Sequence, residues 1–273
     1  MLHAALAGQE EPRLPESWVH ASDVTSEELR FCPRQWFLMR RDGLRPRARS
    51  SHAAQGFSHR MGHLYQDLVT DLLGGAVFGT WRCPCGRVEE LSRRPGKCPG
   101  CGAAEWRHVE TRFVSRRAGI SVGIDVLVDV GLPRLKVVEV KGLKPDEFRS
   151  LVMPKAEHRL RTALYLRVVA DSPTHLRRMV DTDSALVLYV AKGGWGVRDD
   201  QVPTWKVAHD SSWSPFKEYE VRRDDVLTKG PWADGAALVK AQKAGKAPPR
   251  TCGTQMDRRA LACCSRAPCF AEE

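Results

Sequence analysis

The sequence contains no run of about 18 apolar residues, the length a membrane-spanning helix requires, so no transmembrane segment is expected. Its first 18 residues, MLHAALAGQEEPRLPESW, hold few apolar positions and several acidic ones. They make a poor secretory signal, and a cytoplasmic protein is expected. No internal repeat and no low-complexity tract occurs. Acidic side chains are in deficit, with 33 Asp and Glu against 43 Lys and Arg and a net charge of +10. The surplus is either a solvated basic surface or the footprint of a polyanionic partner such as nucleic acid. With 42% hydrophobic and 28% charged residues, the chain is not collagen-like, not a coiled coil and not wholly disordered. Its 273 residues suit one large domain, or one domain with small appendages.

Cysteine, by contrast, is abundant. Nine cysteines, an odd number in a chain expected in a reducing compartment, argue against a disulfide framework. They cluster as Cys32 alone, then Cys83, Cys85, Cys98 and Cys101, then Cys252, Cys263, Cys264 and Cys269. Grouped thiols in a reducing compartment point to metal. Cys83-x-Cys85 and Cys98-x-x-Cys101 lie twelve residues apart, each beside Gly and Pro as in a knuckle turn. Four thiolates in that layout suit a structural, tetrahedral Zn²⁺, although the first pair is one residue tighter than Cys-x-x-Cys. A short module of this kind, with little apolar content, is expected to fold around its metal.

Residues 1–21 read as a loose arm. A helix is expected from the capping-box spacing of Thr25 and Glu28 to about Arg41, then a basic loop over 42–55. A second helix covers 56–73 and stops at Gly74-Gly75. Gly, Pro and Cys dominate 80–106, which reads as an insertion. Strands are expected at Val109–Val114, Ile120–Val130 and Leu135–Val140, with a hairpin loop at Gly131-Leu132-Pro133. A helix over 155–170, a strand at Ala185–Ala191 and a turn at Gly193-Gly194 follow. One or two strands within 204–221 and a helix over 222–244, interrupted at Pro231, complete the pattern. The tail from Pro248 is irregular. This order predicts an α/β fold with a mixed central sheet flanked by helices. The core is expected over 22–79 and 107–247, with the insertion at 80–106 and the cysteine-rich tail over 248–273.

The chemistry concentrates in the hairpin. Glu139 and Lys141 are two apart on a strand and share one face, while Val138 and Val140 face the other way. Asp125 and Glu139 are each seven residues from Leu132, so folding about Leu132 sets the two carboxylates opposite each other. Paired carboxylates repel unless a cation lies between them, and oxygen ligands suit Mg²⁺ or Mn²⁺. A neighbouring Lys orients a water or neutralises charge at a phosphoryl group. The bland alternative is an exposed strand face carrying a Glu–Lys pair.

Asp125, Glu139-Val140-Lys141 and an upstream His resemble the PD-(D/E)xK nuclease core in its RecB-like form. That resemblance implies a restriction-endonuclease-like fold and a metal-dependent DNA exonuclease. Asp125, Glu139 and the Val140 carbonyl would bind Mg²⁺ or Mn²⁺, His63 would complete the shell, and Lys141 would position the attacking water. His59 rivals His63, and the second His of the phage-type Gly-His-x-x-His motif falls on Gln66. The family's Gln-x-x-x-Tyr helix motif matches Arg161 and Tyr165, with Arg in place of Gln; both are expected at the DNA, on one helical face with His158. Glu110 is either a holder of a metal-associated water or an exposed strand carboxylate. The insertion resembles that of phage-type RecB-like exonucleases. Cys32 with the tail resembles the iron–sulfur nucleases of the CRISPR-associated protein 4 and AddB type, which implies a 4Fe–4S cluster on Cys32, Cys252, Cys263 and Cys269. Cys263 is preferred to Cys264 for its spacing to Cys269, and a second Zn²⁺ is the alternative occupant. The implied partner is DNA, single-stranded or at ends, with no membrane, in recombination, repair or phage DNA processing. Basic stretches at Arg40-Arg41, Arg45-Pro46-Arg47 and Arg116-Arg117 are either backbone-tracking or plain surface charge. The competing classes are a non-catalytic DNA-binding or redox-sensing metal protein, and a nuclease subunit acting only within a recombination or adaptation complex.

Overall fold

At LKVVEVKGL and VDTDSALVLYVA the chain runs as the two longest strands and pairs them side by side. These are β8 (Leu135–Leu143) and β9 (Val180–Ala191) of a computed structural model that describes residues 18–25, 31–44, 53–192 and 214–271. They are parallel, so the chain must cross back between them. It does so through α4 (Pro145–Ser150) and α5 (Ala156–Asp171). The larger sheet runs β10-β9-β8-β7-β2-β3, from β10 (Phe216–Arg222) through β7 (Val126–Val128) and β2 (Val77–Arg82) to β3 (Val88–Arg93). Beside β2 also lies β4 (Arg107–Val109). A smaller sheet joins β1 (Val19–His20), β6 (Ile120–Ile124) and β5 (Thr111–Ser115) in the order β1-β6-β5. Only the β8/β9 and β1/β6 pairs are parallel, so the fold is mixed α/β.

The two faces of β8 enter different cores. Val138 and Val140 join Val69, Val77, Val126 and Tyr65, beneath α3 (Ala53–Leu73). Leu135 and Val137 join Leu164, Tyr165 and Val168 of α5, together with Phe113, Ile120 and Val122 of the smaller sheet. Each fully buried Leu, Val or Phe of this kind contributes about 1.5–3 kcal/mol. The remaining helices are α1 (Ala21–Thr25), α2 (Pro33–Arg41), α6 (Lys229–Ala244), α7 (Arg258–Leu261) and α8 (Arg266–Ala271).

Several boundaries differ from the sequence expectation. The expected helix over 25–41 is broken: Ala21–Thr25 is helical, residues 26–30 lie outside the described ones, and the second piece begins at Pro33. Pro33 holds Cys32 in extended backbone, φ −128° and ψ 108°, because a residue before proline is barred from helical geometry. The end of the expected arm is part of the core, since Val19 is fully buried and pairs with Ile120. Pro231 does not interrupt α6 but sits in its first turn, where the missing N–H has no helical partner to lose. The largest difference concerns two expected strands. Val109–Val114 breaks at Glu110 and Ile120–Val130 breaks at Asp125, and at both breaks the chain passes between the two sheets. Arg45-Pro46-Arg47, Gly193-Gly194 and the 204–213 part of the last expected strands lie outside the described residues.

Candidate active site and thiol centres

At the sheet junction the two strand breaks meet. Thr111 pairs with Ile124, so one step further Glu110 lies beside Asp125. Val126 pairs with Val138, so one step further Asp125 faces Glu139. The carboxylates therefore gather where strands change sheets. Glu110 lies over Gly123, where a Cβ would stand 2.2 Å from Glu110 Oε2, so a larger residue there would displace that carboxylate.

Glu139 is 1% exposed. Its Oε1 lies 2.5 Å from Lys141 Nζ, which is 3.9 Å from Asp125 Oδ2. The Val140 N–H donates to Asp125 Oδ2 at 3.0 Å and fixes the carboxylate against the strand. Burial, reinforced by Asp125, pushes the Glu139 carboxyl up to about 7 although Lys141 opposes this. Burial also raises Asp125, with Lys141 opposing and Glu110 adding to the rise. For Lys141, burial favours loss of the proton, but Glu139 and Asp125 outweigh it and its pKa is raised. Glu139 Oε2 is buried without a hydrogen-bond partner among the described residues. An orphaned carboxylate oxygen beside a second carboxylate is the donor set of a hard divalent cation, and these residues fit Mg²⁺ or Mn²⁺.

On the helix above, Arg161 pairs with Glu157, and its Nε donates to Thr25 Oγ1 at 3.5 Å. The guanidinium is close enough to Glu139 to oppose the rise in its pKa. Tyr165 is buried in the core at 4% exposure. Burial first, then Glu139 and Asp125, raises its phenol. Tyr165, expected at the DNA, packs into the core with Val137 and Leu164.

The upstream His lies on α3. Packed on the Val138/Val140 face through Tyr65 and Val69, α3 lies across the sheet from Glu139 and Lys141. It reaches the strand break by Gln66, whose Nε2 donates to the Asp125 carbonyl at 3.2 Å. His63, one turn earlier, is exposed. Among the described residues no three ligand atoms of His63, Glu110, Asp125 and Glu139 come within 4.8 Å of one another. The rival His59 lies on the same helix. One neighbour escaped the sequence reading. His20, assigned to the arm, is half-buried on β1 with Nδ1 2.7 Å from Ser22 Oγ; burial first lowers its pKa, with Asp23 and Glu139 opposing and Arg112 and Arg161 adding to the fall. No local signal marks it, since its position depends on the pairing of β1 with β6.

The cysteines form two groups. Cys83, Cys85, Cys98 and Cys101 hold all four sulfurs within 4.8 Å, with Cys83–Cys101 at 3.5 Å and Cys85–Cys98 at 3.7 Å. A tetrahedral ion with metal–sulfur bonds of about 2.3 Å sets its sulfurs about 3.8 Å apart, so the residues fit a single metal ion. Each pair lies on a tight turn closed by a positive-φ glycine, Gly86 (φ 91°) or Gly102 (φ 75°). Burial pushes the Cys83 thiol up to about 12, whereas backbone N–H groups of Gly100 and Cys101 overcome burial at Cys98 and bring it to about 7. The insertion is less self-contained than expected, because Trp81 and Trp106 are 3% and 5% exposed within the Val138/Val140 core.

Cys32, Cys252, Cys263 and Cys269 line one pocket against the start of α2, and Cys264 is not among its lining residues. Burial pushes the Cys263 thiol up to about 11, and Cys264, Cys32 and Cys269 add to the rise. Cys264 Sγ instead lies 3.6 Å from Gln35 Nε2. Arg34 fastens the tail: its Nη1 donates to the Pro248 carbonyl at 2.8 Å, its Nη2 to the Cys269 carbonyl at 3.1 Å and its Nε to Cys269 Sγ at 3.2 Å. The four sulfurs are not drawn within 4.8 Å of one another, as around one ion. Four thiols lining one pocket are a donor set for either a 4Fe–4S cluster or a second Zn²⁺.

Of the basic stretches, Arg41 is paired with Asp42 and Arg117 with Asp171. No helix among the described residues is long and apolar enough to cross a membrane.

No family model matches the chain, and no curated protein matches it. Among solved structures it is weakly similar to an alkaline exonuclease, LHK-Exo, from Laribacter hongkongensis, at 12% identity and TM-score 0.45, over 89% of this chain and 92% of that one. The same exonuclease in complex with dAMP gives 11% identity and TM-score 0.41 over the same shares. A protein named SSO0001 gives 13% identity and TM-score 0.35 over 100% of this chain and 93% of that one.

Proposed function

We propose that this chain is a metal-dependent DNA exonuclease with a RecB-like PD-(D/E)xK site. The observation that carries the reading is the convergence of Asp125, Glu139 and Lys141, with Glu139 Oε2 buried and unpartnered. Asp125, Glu139 and the Val140 carbonyl would hold Mg²⁺ or Mn²⁺. His63 is kept as the remaining ligand because it lies one turn from Gln66, which touches the Asp125 carbonyl. The bound ion supplies charge neutralisation at the phosphate and acidifies water. Lys141 orients the attacking water, which strikes phosphorus in line with the P–O bond to the departing nucleotide. Arg161 exchanges Glu157 for a phosphate of the strand. Tyr165 backs the carboxylates.

The core would span 22–79 and 107–247, with 80–106 as a zinc-holding insertion on Cys83, Cys85, Cys98 and Cys101. The tail over 248–273 would close a 4Fe–4S site from Cys252, Cys263 and Cys269 with Cys32. Single-stranded DNA or DNA ends are the substrate, in a cytoplasmic recombination, repair or phage pathway.

The test incubates anaerobically purified protein with end-labelled single-stranded DNA and Mg²⁺ or Mn²⁺, comparing wild type with Glu139→Ala. Metal-dependent degradation that disappears in the variant is expected. A folded, metal-replete wild type that leaves DNA intact would overturn the reading in favour of binding without hydrolysis or of a subunit needing a larger complex.

A further inference from the structure

His158 begins the helical face that continues through Arg161 and Tyr165. Its ring packs on Tyr189 of β9 with centroids 5.5 Å apart. Tyr189 is the register partner of Lys141 on the adjacent parallel strand, so the two side chains share a sheet face. His158 therefore stands within one side chain of the ammonium that grips Glu139.

The hydrogen bonds determine which nitrogen carries the proton. Tyr189 is fully buried. Its oxygen accepts the Lys155 N–H at 3.0 Å, and His158 Nδ1 lies 2.9 Å away. The phenol has one proton to donate, and among the described residues Nδ1 is the acceptor within reach. Leaving that proton buried and unpaired would cost about 1–3 kcal/mol. Nδ1 therefore accepts, and the proton of the neutral imidazole resides on Nε2. No hydrogen-bond partner for Nε2 occurs among the described residues. Burial, with Lys141, Arg161 and Lys155 around it, holds the ring neutral by lowering its pKa to about 3.

We propose that His158 is a further catalytic residue: a neutral imidazole, locked by Tyr189 as its Nε2–H tautomer, that donates a hydrogen bond to an oxygen of the scissile phosphate beside Lys141. The inference deepens the nuclease reading and rests on it. The donor transfers no proton and changes no charge. It places a fixed dipole where negative charge gathers, between Lys141 and Arg161, without adding a cation to compete with the divalent ion. A purely structural His158 would hold Tyr189 in place and affect stability alone.

Full-length protein labelled with ¹⁵N-histidine gives the tautomer directly from multiple-bond ¹⁵N–¹H spectra, independently of activity. The proton is expected on Nε2, and Tyr189→Phe is expected to mix the tautomers. With Mg²⁺ and end-labelled single-stranded DNA, His158→Ala is expected to lower kcat about a hundredfold with KM nearly unchanged. His158→Gln, which restores an N–H near the same point, is expected to recover part of the loss, and its melting curve checks that the fold survives. A proton found on Nδ1, or unchanged kcat in His158→Ala, overturns the inference alone. A wild type that cuts no DNA overturns the nuclease reading and this inference with it.

Discussion

At Glu139 one carboxylate oxygen is gripped by Lys141 and the other is buried with no partner, in a side chain 1% exposed. Removing a carboxylate from water is costly, and Lys141 compensates only one side of it. The folded chain therefore retains the Glu139 proton up to about 7, against an ordinary value of 4.5. The unfolded chain releases it near 4.5, so folding takes up a proton between these values. The contribution of this group to stability falls as pH rises through that window, and its cost is complete above about 7. A divalent cation replaces the proton, so its stabilising effect should grow over the same range. The melting temperature is expected to rise more on adding Mn²⁺ at about pH 8 than at about pH 5. Equal increments at both values would show that Glu139 is not where the ion binds.

Among the elements, the insertion is the one proposed to fold around a bound ion. Its hairpin of β2 and β3 is anchored by Trp81 Nε1 on the Ser92 carbonyl at 2.9 Å and by Trp106 Nε1 on the Gly96 carbonyl at 2.7 Å. The Cys98 to Cys101 turn has the four-sulfur cage as its main fastening. Cys98→Ala is expected to release one zinc per chain, measured by metal analysis, while any iron is retained. Because both tryptophans pack into the Val138/Val140 core, the loss should also reduce their fluorescence protection. Zinc retained at one per chain would place the ion elsewhere.

For the whole molecule, the tail is the decisive fastening. It returns about 220 residues after Cys32 to the start of α2, where Arg34 makes three hydrogen bonds to it. Closing so long a loop removes denatured-state freedom, and the gain grows only slowly with length, about 0.6 kcal/mol per doubling. Cys32→Ala is expected to bleach any brown colour of anaerobically purified protein and to lower its melting temperature. Hydrogen bonds to a charged group contribute about 1.5–3 kcal/mol each, so Arg34→Ala should loosen the tail even with all four cysteines present. Limited proteolysis after about Pro248 would detect this, and a tail equally resistant in wild type and variant would count against the clasp.

Local spacing was enough for part of this picture. Alternation along β8 determined that Glu139 and Lys141 share a face, symmetry about Leu132 determined that Asp125 meets Glu139, and turn chemistry marked the four-cysteine insertion. These follow from periods and turns of a few residues, which the chain carries in itself. The tertiary structure decided the rest. It broke two apparently continuous strands at Glu110 and Asp125, because pairing with β2 and β8 on one side competes with pairing within the smaller sheet on the other. It drew His20 beside the site, packed α3 on the Val138/Val140 face of β8, buried Tyr165 and turned Cys263 rather than Cys264 into the pocket. Each depends on which distant segment a residue packs against, and no window of neighbouring residues contains that information.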